Sequence, residues 1–517
     1  MTTHQLCRRD FLKLAGAAAL TFPRLGKTAA PGFQSLEKRP NILLIITDQQ
    51  FAEVMSCRMG KQFLSTPAMD DLAAGGLLCT RAYSSNPLCM PLRNSLFTGR
   101  YPHETGVTSN DTKEPLDPQK FPCMGTYFRN AGYETAYTGK WHINFNPRDQ
   151  QAHGFEIFAE KSPGGHDMGV TAGAEKFLAQ PHSKPFLLVA SYLNPHNICE
   201  WARRLAGRQQ ELNCGEIGTP PALEKLPPPP VNLAPPANEP DGMTMIRRGY
   251  QVENGPFPVG KFTPDDWRKH RWGYYRMAEL VDAEIGKLLS ALRKTGLAGD
   301  TLIVFTADHG DCAGAHGFNQ KTVFYEESAR VPLILQWPGK TPVAACDKLI
   351  NIGIDILPTL LAAAGLAAPQ QLPGRSLLPL ALGKSVGEWR EFIVVQNHMV
   401  QTGMVDGLKP EMAGRMVRTN RYKYCVYGRG QRRESLVDLQ NDPGEMKNLA
   451  ADPACREELL RHRALLAKWG EQHHDALVAE LLANDVAPHP FSAADNPKPA
   501  TPRAAKKGRK AAKGATP

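Results

Sequence analysis

The run Asn41-Ile-Leu-Leu-Ile-Ile46 is apolar and branched after its first residue, and it stops abruptly at Thr47-Asp48-Gln49-Gln50. A strand with one wet face alternates apolar and polar residues. A short run with no polar position is a strand covered on both faces, as in a parallel sheet between two helix layers. Similar runs recur at Tyr133 to Tyr137, Phe186 to Ser191, Thr301 to Thr306 and Val331 to Gln336, and they read as further strands of such a sheet. Helical stretches separate them. The clearest opens at Thr263-Pro264-Asp265-Asp266, where Thr263 can cap and Pro264 suits the first turn. Met277, Leu280, Val281, Ile285, Leu288 and Leu292 then form its apolar face. Strands alternating with helices predict an α/β fold with a large, mostly parallel central sheet flanked by helices.

The chain has 517 residues, which exceeds one simple domain. Past about residue 385 the pattern changes. Met416 to Val426 reads as hairpin strands, Asp442-Pro443-Gly444 as a turn, and Cys455 to His473 as a closing helix. The expected organisation is therefore a leader at 1–30, a main domain at 31–384, a smaller C-terminal α+β domain with an antiparallel sheet at 385–490, and a disordered basic tail at 491–517. Residues 201–262, rich in proline and poor in periodicity, read as a long surface excursion at the rim of a ligand site.

The formal charge of +10 is concentrated at the two ends. Residues 1–30 carry +4 and residues 497–517 carry +7, which leaves the body between them at −1. A near-neutral body offers no field for nucleic acid. The tail, rich in Lys, Ala and Pro, cannot bury a core. Arg8-Arg9-Asp10-Phe11-Leu12-Lys13, the apolar run Leu14 to Phe22 and Ala29-Ala30 follow the order of a twin-arginine export signal, which predicts a periplasmic or secreted protein. No stretch approaches the roughly 18 apolar residues of a membrane helix, so no stable span is expected. Of the 11 cysteines, Cys199 and Cys214 could close a short loop in an oxidising compartment, or the thiols could be free and buried.

In open α/β sheets the ligand site lies beyond the carboxyl ends of the strands. Four predicted strands end in polar clusters: Thr47-Asp48-Gln49-Gln50, Gly139-Lys140-Trp141-His142, Asn194-Pro195-His196 and Asp308-His309-Gly310. A fifth element, Cys89-Met90-Pro91-Leu92-Arg93, would place Cys89 at a helix N-terminus, where backbone donors and the helix dipole favour an oxyanion.

At these residues the sequence resembles the type I, formylglycine-dependent sulfatases of the alkaline phosphatase-like superfamily. The resemblance runs from about Pro40 to Ala450. It includes Gly99-Arg100-Tyr101-Pro102-His103, Lys321 with Tyr325-Glu326, Arg330-Val331-Pro332, and Leu436 to Glu445. It implies an exported sulfatase that hydrolyses sulfate esters, with a sulfated polysaccharide or glycosaminoglycan suggested by the export signal and rim. It also implies that a maturation enzyme oxidises Cys89 to formylglycine. One hydroxyl of the hydrated aldehyde would attack sulfur, and the second would expel sulfate as the aldehyde re-forms. Divalent metal ligation falls to Asp48, Gln49, Cys89, Asp308 and His309. Calcium is implied, although the imidazole of His309 suits manganese, iron or zinc. Arg93 and Lys140 would orient the nucleophile, Lys140 and Lys321 would hold the sulfate, and His142 would act as base. His196 and Lys321 would assist the leaving alcohol. His103, His316 and His398 are weaker candidates for touching substrate. The pairing of Gln49 with His309 also occurs in phosphonate monoester and phosphodiester hydrolases of the superfamily, which form the alternative reading. A non-enzyme alternative is a catalytically dead carbohydrate-binding protein of the same fold; the intact catalytic set argues against it, and loss of Cys89, Arg93 or Lys140 would have favoured it.

Overall fold

The computed structural model describes residues 39–159, 167–252 and 257–496. The leader and residues 497–517 of the tail lie outside them. The strands, in chain order, are β1 (Asn41–Asp48), β2 (Leu77–Cys79), β3 (Ala82–Tyr83), β4 (Glu134–Gly139), β5 (Glu156–Ala159), β6 (Phe186–Pro195), β7 (Thr301–Ala307), β8 (Arg330–Val331), β9 (Leu333–Gln336), β10 (Ala344–Cys346), β11 (Ile350–Asn351), β12 (Phe392–Met399), β13 (Met412–Thr419), β14 (Tyr422–Tyr427) and β15 (Glu434–Asp438). The helices that shape the core are α1 (Pro67–Ala74), α2 (Cys89–Thr98), α3 (Met168–Leu178), α4 (Ile198–Leu205), α5 (Asp241–Gln251), α6 (Pro264–Lys294), α7 (Ile352–Ala363) and α8 (Arg456–Gln472). Among the described residues, no helix is long and apolar enough to cross a membrane.

Eight strands form the central sheet in the order β10-β2-β9-β7-β1-β6-β4-β5. β1 sits between β7 and β6, parallel to both, with Ile42 to Ile46 fully buried. Its side chains alternate between two cores. Ile42, Leu44 and Ile46 pack with Leu92, Leu96 and Phe97 of α2 and with Ile356 and Leu360 of α7. Leu43 and Ile45 pack on the other face with Phe177 of α3 and Val281, Ile285 and Leu288 of α6. At about 2 kcal/mol per buried branched side chain, this strand alone contributes on the order of 10 kcal/mol of apolar burial. That explains why its sequence carries no polar alternation. α6 begins as its sequence indicates, with the Thr263 hydroxyl accepting from Asp266 N and the Asp266 carboxylate accepting from Thr263 N.

Two sequence readings are corrected. The run Val331 to Gln336 is two strands. β9 runs antiparallel to β7 and β2, while β8 pairs with β3 in a separate three-stranded sheet. Pro332 lies at the break and has no N–H to continue a ladder. Residues 201–262 are more than a surface excursion. They include most of α4 and all of α5, whose Met243, Ile246, Arg247 and Tyr250 form one buried face at helical spacing. Arg247 disguised that face. It is buried because it forks onto the buried Glu239 carboxylate. Leu226 and Ile217 also anchor this segment beside Trp201 and Trp272.

The antiparallel sheet β12-β13-β14-β15 is separate from the central sheet. One face buries Val395, Met416 and Cys425 among residues that include Phe324 and Tyr325. The other buries Val394, Val417 and Tyr424 under Leu459, Leu466 and Trp469 of α8. Cys199 and Cys214 are both buried free thiols.

Candidate active site

The carboxyl ends of β1, β4, β6 and β7 converge on the start of α2. Asp48 closes β1, and Asp308 directly follows β7, with Asp308 N donating to Thr47 O at 3.1 Å. Cys89 is the first residue of α2. The preceding Leu88 is extended and provides no side-chain cap, so first-turn amides are left for other acceptors. One of them, Met90 N, donates to Asn110 Oδ1 at 3.1 Å.

Arg93 lies one turn into α2 and is fully buried. Its Nε donates to Asp308 Oδ2 at 3.0 Å, Nη2 to Asp48 Oδ2 at 3.1 Å, and Nη1 to Ser191 Oγ at 2.7 Å and to the Lys140 carbonyl at 3.1 Å. One guanidinium thus ties together the ends of four strands. Lys140 Nζ reaches Asp48 Oδ2 at 2.5 Å. Lys140 can turn in because Gly139 precedes it at φ +104°, where a Cβ would stand 2.0 Å from the Ser191 carbonyl oxygen.

Asp48, Cys89, Asp308 and His309 each offer a ligand atom, and these four atoms lie within 4.8 Å of one another. His309 Nε2 is 3.1 Å from Cys89 Sγ and 3.5 Å from Asp308 Oδ1. His309 Nδ1 faces the Gly310 carbonyl at 3.0 Å. A carbonyl only accepts, so Nδ1 carries a proton; in the neutral ring Nε2 then presents its lone pair to the cluster, the arrangement of a metal-binding imidazole. Gln49 adopts φ +68°, a strained conformation outside glycine. This turns its side chain away from the strand, with Nε2 donating to Asp311 Oδ2 at 2.6 Å and Oε1 accepting from Lys321 Nζ.

The electrostatics follow from burial and mixed charge. Burial pushes the Cys89 thiol up, but Lys140, Lys321 and His309 outweigh it and hold the group well below the usual thiol range. The Sγ atom stands where an oxygen of a hydrated aldehyde at this position would lie. Burial and the neighbouring Asp48 push the Asp308 carboxyl up. Burial also acts on Asp48, but Lys140, His196 and Arg93 hold its carboxyl well below the ordinary range. Burial and the charges of Lys321 and Lys140 bring His196 down to about 4, so its imidazole is neutral at pH 7. His142, at φ +50°, contributes a hydrogen bond that further favours the ionised Cys89, and its own buried Nδ1 has no hydrogen-bond partner among the described residues.

All the residues that the sequence nominated for catalysis and metal ligation are therefore drawn together: Asp48, Gln49, Cys89, Arg93, Lys140, His142, His196, Asp308, His309 and Lys321. The weaker histidine candidates sit elsewhere. His103 packs on Tyr101 and Trp469, His316 stacks on Tyr325, and His398 is held by burial at about 4. Asp311 was missed, although it stands two residues beyond His309. Gln320, whose amide donates to Cys199 Sγ at 3.0 Å, was hidden beside Lys321.

A cysteine at a helix start, facing two carboxylates, an imidazole and two lysines, defines a hydrolase site for an oxyanion ester on an α/β sheet. The family model described as Sulfatase matches residues 40–366, and that of N-sulphoglucosamine sulphohydrolase, C-terminal, matches residues 314–471. The Delta 4,5-hexuronate-2-O-sulfatase of Bacteroides thetaiotaomicron is 31% identical over 452 residues, spanning 83% of this chain and 88% of the relative. A solved 2-O GAG sulfatase superposes with a TM-score of 0.74 at 29% identity, covering 85% of this chain and 94% of the other. The phosphonate monoester hydrolase of Agrobacterium radiobacter shares the fold, with a TM-score of 0.67 at 22% identity over 84% of this chain and 96% of the other. The chain belongs to the sulfatase family, with its alkaline phosphatase-like fold, and is a sulfuric ester hydrolase.

Proposed function

We propose that this enzyme removes sulfate from sulfated carbohydrates, glycosaminoglycan-type oligosaccharides above all, with residue 89 as nucleophile after conversion of Cys89 to formylglycine by a maturation enzyme. The observation that carries this reading is the placement of Cys89 at the start of α2, within 4.8 Å of the Asp48, Asp308 and His309 donors. Several relatives act on acidic or amino sugars, among them the hexuronate-2-O-sulfatase and an N-acetylglucosamine-6-O-sulfatase. A hydrated aldehyde at residue 89 would supply one hydroxyl to attack sulfur and a second to release it, a route that a serine would lack.

A divalent metal fits the donor set. Two carboxylates, an oriented imidazole nitrogen and residue 89 would hold it, with Gln49 Oε1 able to contribute its second lone pair beside Lys321. Such an ion would lower the nucleophile's pKa and polarise the ester oxygens. We assign calcium on the family resemblance, against the pull of the His309 nitrogen toward manganese, iron or zinc.

The chain's own groups then take these roles. Arg93 holds both carboxylates in place. Lys140 and Lys321 neutralise the sulfate oxygens from fixed positions in a water-poor site. His142 accepts the proton of the remaining hydroxyl. His196, neutral at pH 7, donates a hydrogen bond to the departing oxygen. Residues 1–30 direct twin-arginine export to the periplasm or beyond.

A hydrolysis screen tests the reading. Sulfated oligosaccharides, aryl sulfates and phosphodiesters are compared side by side with matured enzyme. The proposal requires kcat/KM for the best sulfated sugar to exceed that for a matched phosphodiester by at least about a hundredfold, near 2.7 kcal/mol of discrimination. Equal or faster diester turnover would instead favour the phosphonate monoester hydrolase-like reading attached to Gln49 and His309.

A further inference from the structure

At the edge of the central sheet, opposite the β5 end, the three-residue strand β10 pairs with β2 alone among the described residues, and the two run parallel. Their register places Cys346 directly beside Cys79. Hydrogen bonds hold that register just past the pair: Thr80 N donates to the Cys346 carbonyl at 2.8 Å, and Thr80 Oγ1 donates to the same oxygen at 3.1 Å. Aligned residues on neighbouring strands project to the same face of a sheet. Neighbouring strands lie about 4.8 Å apart, inside the roughly 4.4–6.8 Å Cα separation that a disulfide spans. The Cα spacing of the aligned pair therefore falls in the range that a bridge spans. Ala344 and Ala345 are exposed, whereas Cys346 is 8% and Cys79 3% exposed. The pair lies just under an open edge, with Cys346 the outer member. No other two cysteines among the described residues are aligned on paired strands.

We infer that Cys79 and Cys346 are a disulfide-forming pair that closes covalently when the folded chain meets a disulfide oxidant. The outer Cys346 thiolate attacks one sulfur of the oxidant, such as oxidised glutathione, and displaces one glutathione thiolate. The Cys79 thiol then loses its proton and attacks the Cys346 sulfur of the mixed disulfide, displacing the second glutathione thiolate. Two protons and two electrons leave the cysteines, and the oxidant disulfide becomes two thiols. The ionisation of the pair suits this order. Hydrogen bonding from Cys79 holds the Cys346 thiol down to about 7, and the same contact, with burial, pushes Cys79 well up. The product would staple the short edge strand β10 to the chain that runs through Thr80 and β3 toward Cys89. It would also close a loop of more than 250 residues, the kind of closure that constrains the unfolded chain most.

The test uses the purified full chain, reduced, desalted and incubated with oxidised glutathione. Remaining thiols are alkylated, and peptides are mapped without reduction. The expected result is a dominant linked peptide joining Cys79 to Cys346, with a rise of a few degrees in the thermal unfolding midpoint that dithiothreitol reverses. Cys346→Ser and Cys346→Ala should each abolish the linked peptide and the rise, leaving Cys79 alkylatable. The inference is overturned if both thiols are alkylated after oxidation, if Cys346 stays glutathionylated with Cys79 free, or if either joins a different cysteine instead.

Discussion

Replacing Arg93 with methionine keeps most of the side chain's length and removes its charge. The structure gives the consequence. Asp48 Oδ2 keeps Lys140 at 2.5 Å, but Asp308 Oδ2 keeps no other partner among the described residues, and both carboxylates are fully buried. Orphaning one member of a buried ion pair costs about 3–5 kcal/mol. Because burial and Asp48 already push the Asp308 carboxyl up, partial protonation should hold the loss near the lower end, about 3 kcal/mol at pH 7, or roughly a hundredfold in the folding equilibrium. Urea unfolding with metal chelated would read this as a lower midpoint at unchanged slope. Asp308→Asn in the Arg93→Met background should cost less than in the wild type, a coupling of about 1–3 kcal/mol. A loss under about 1 kcal/mol, or strictly additive costs, would show that Arg93 does not hold the strand ends together.

Three further outcomes are expected. Lys321→Ala should lower kcat/KM for a sulfate ester about 10²–10³-fold with near-native circular dichroism, since it removes a buried charge aimed at the sulfate; a loss below tenfold would contradict that role. His309→Asn should shift bound metal and activity toward calcium over manganese, read by elemental analysis and assays in each metal; an unchanged profile would remove His309 from the ligand set. His270 is fully buried on α6, neither ring nitrogen has a partner among the described residues, and burial beside Arg271 brings it down to about 3. Its folded pKa lies below its unfolded value, so its contribution to stability is complete above about pH 6.5 and is lost as pH falls toward 3. His270→Leu should therefore shrink the drop in the urea midpoint between pH 7 and pH 4.5, and an identical drop in both proteins would refute the assignment.

The central strands were legible because burial on both faces leaves no polar position. Ile42 to Ile46 can occupy few other environments. The active site was legible because strand ends that must present polar atoms interrupt such runs abruptly, at Asp48, Lys140 and Asp308. The direction of β9 was not legible, since antiparallel and parallel buried strands share one composition. α5 was hidden because its buried face includes Arg247, and only the distant pairing with Glu239 makes that arginine a core residue. The turn of Gln49 toward Asp311 and Lys321 depends on a left-handed backbone that local sequence does not announce for glutamine.

The most direct measurement of the central claim is peptide mass spectrometry of residue 89 alongside activity, across preparations made with and without a formylglycine-generating enzyme. The account predicts that sulfate-ester turnover scales with the fraction of chains carrying formylglycine at position 89 and vanishes in Cys89→Ala. Full turnover from protein whose residue 89 is entirely unmodified cysteine would contradict it.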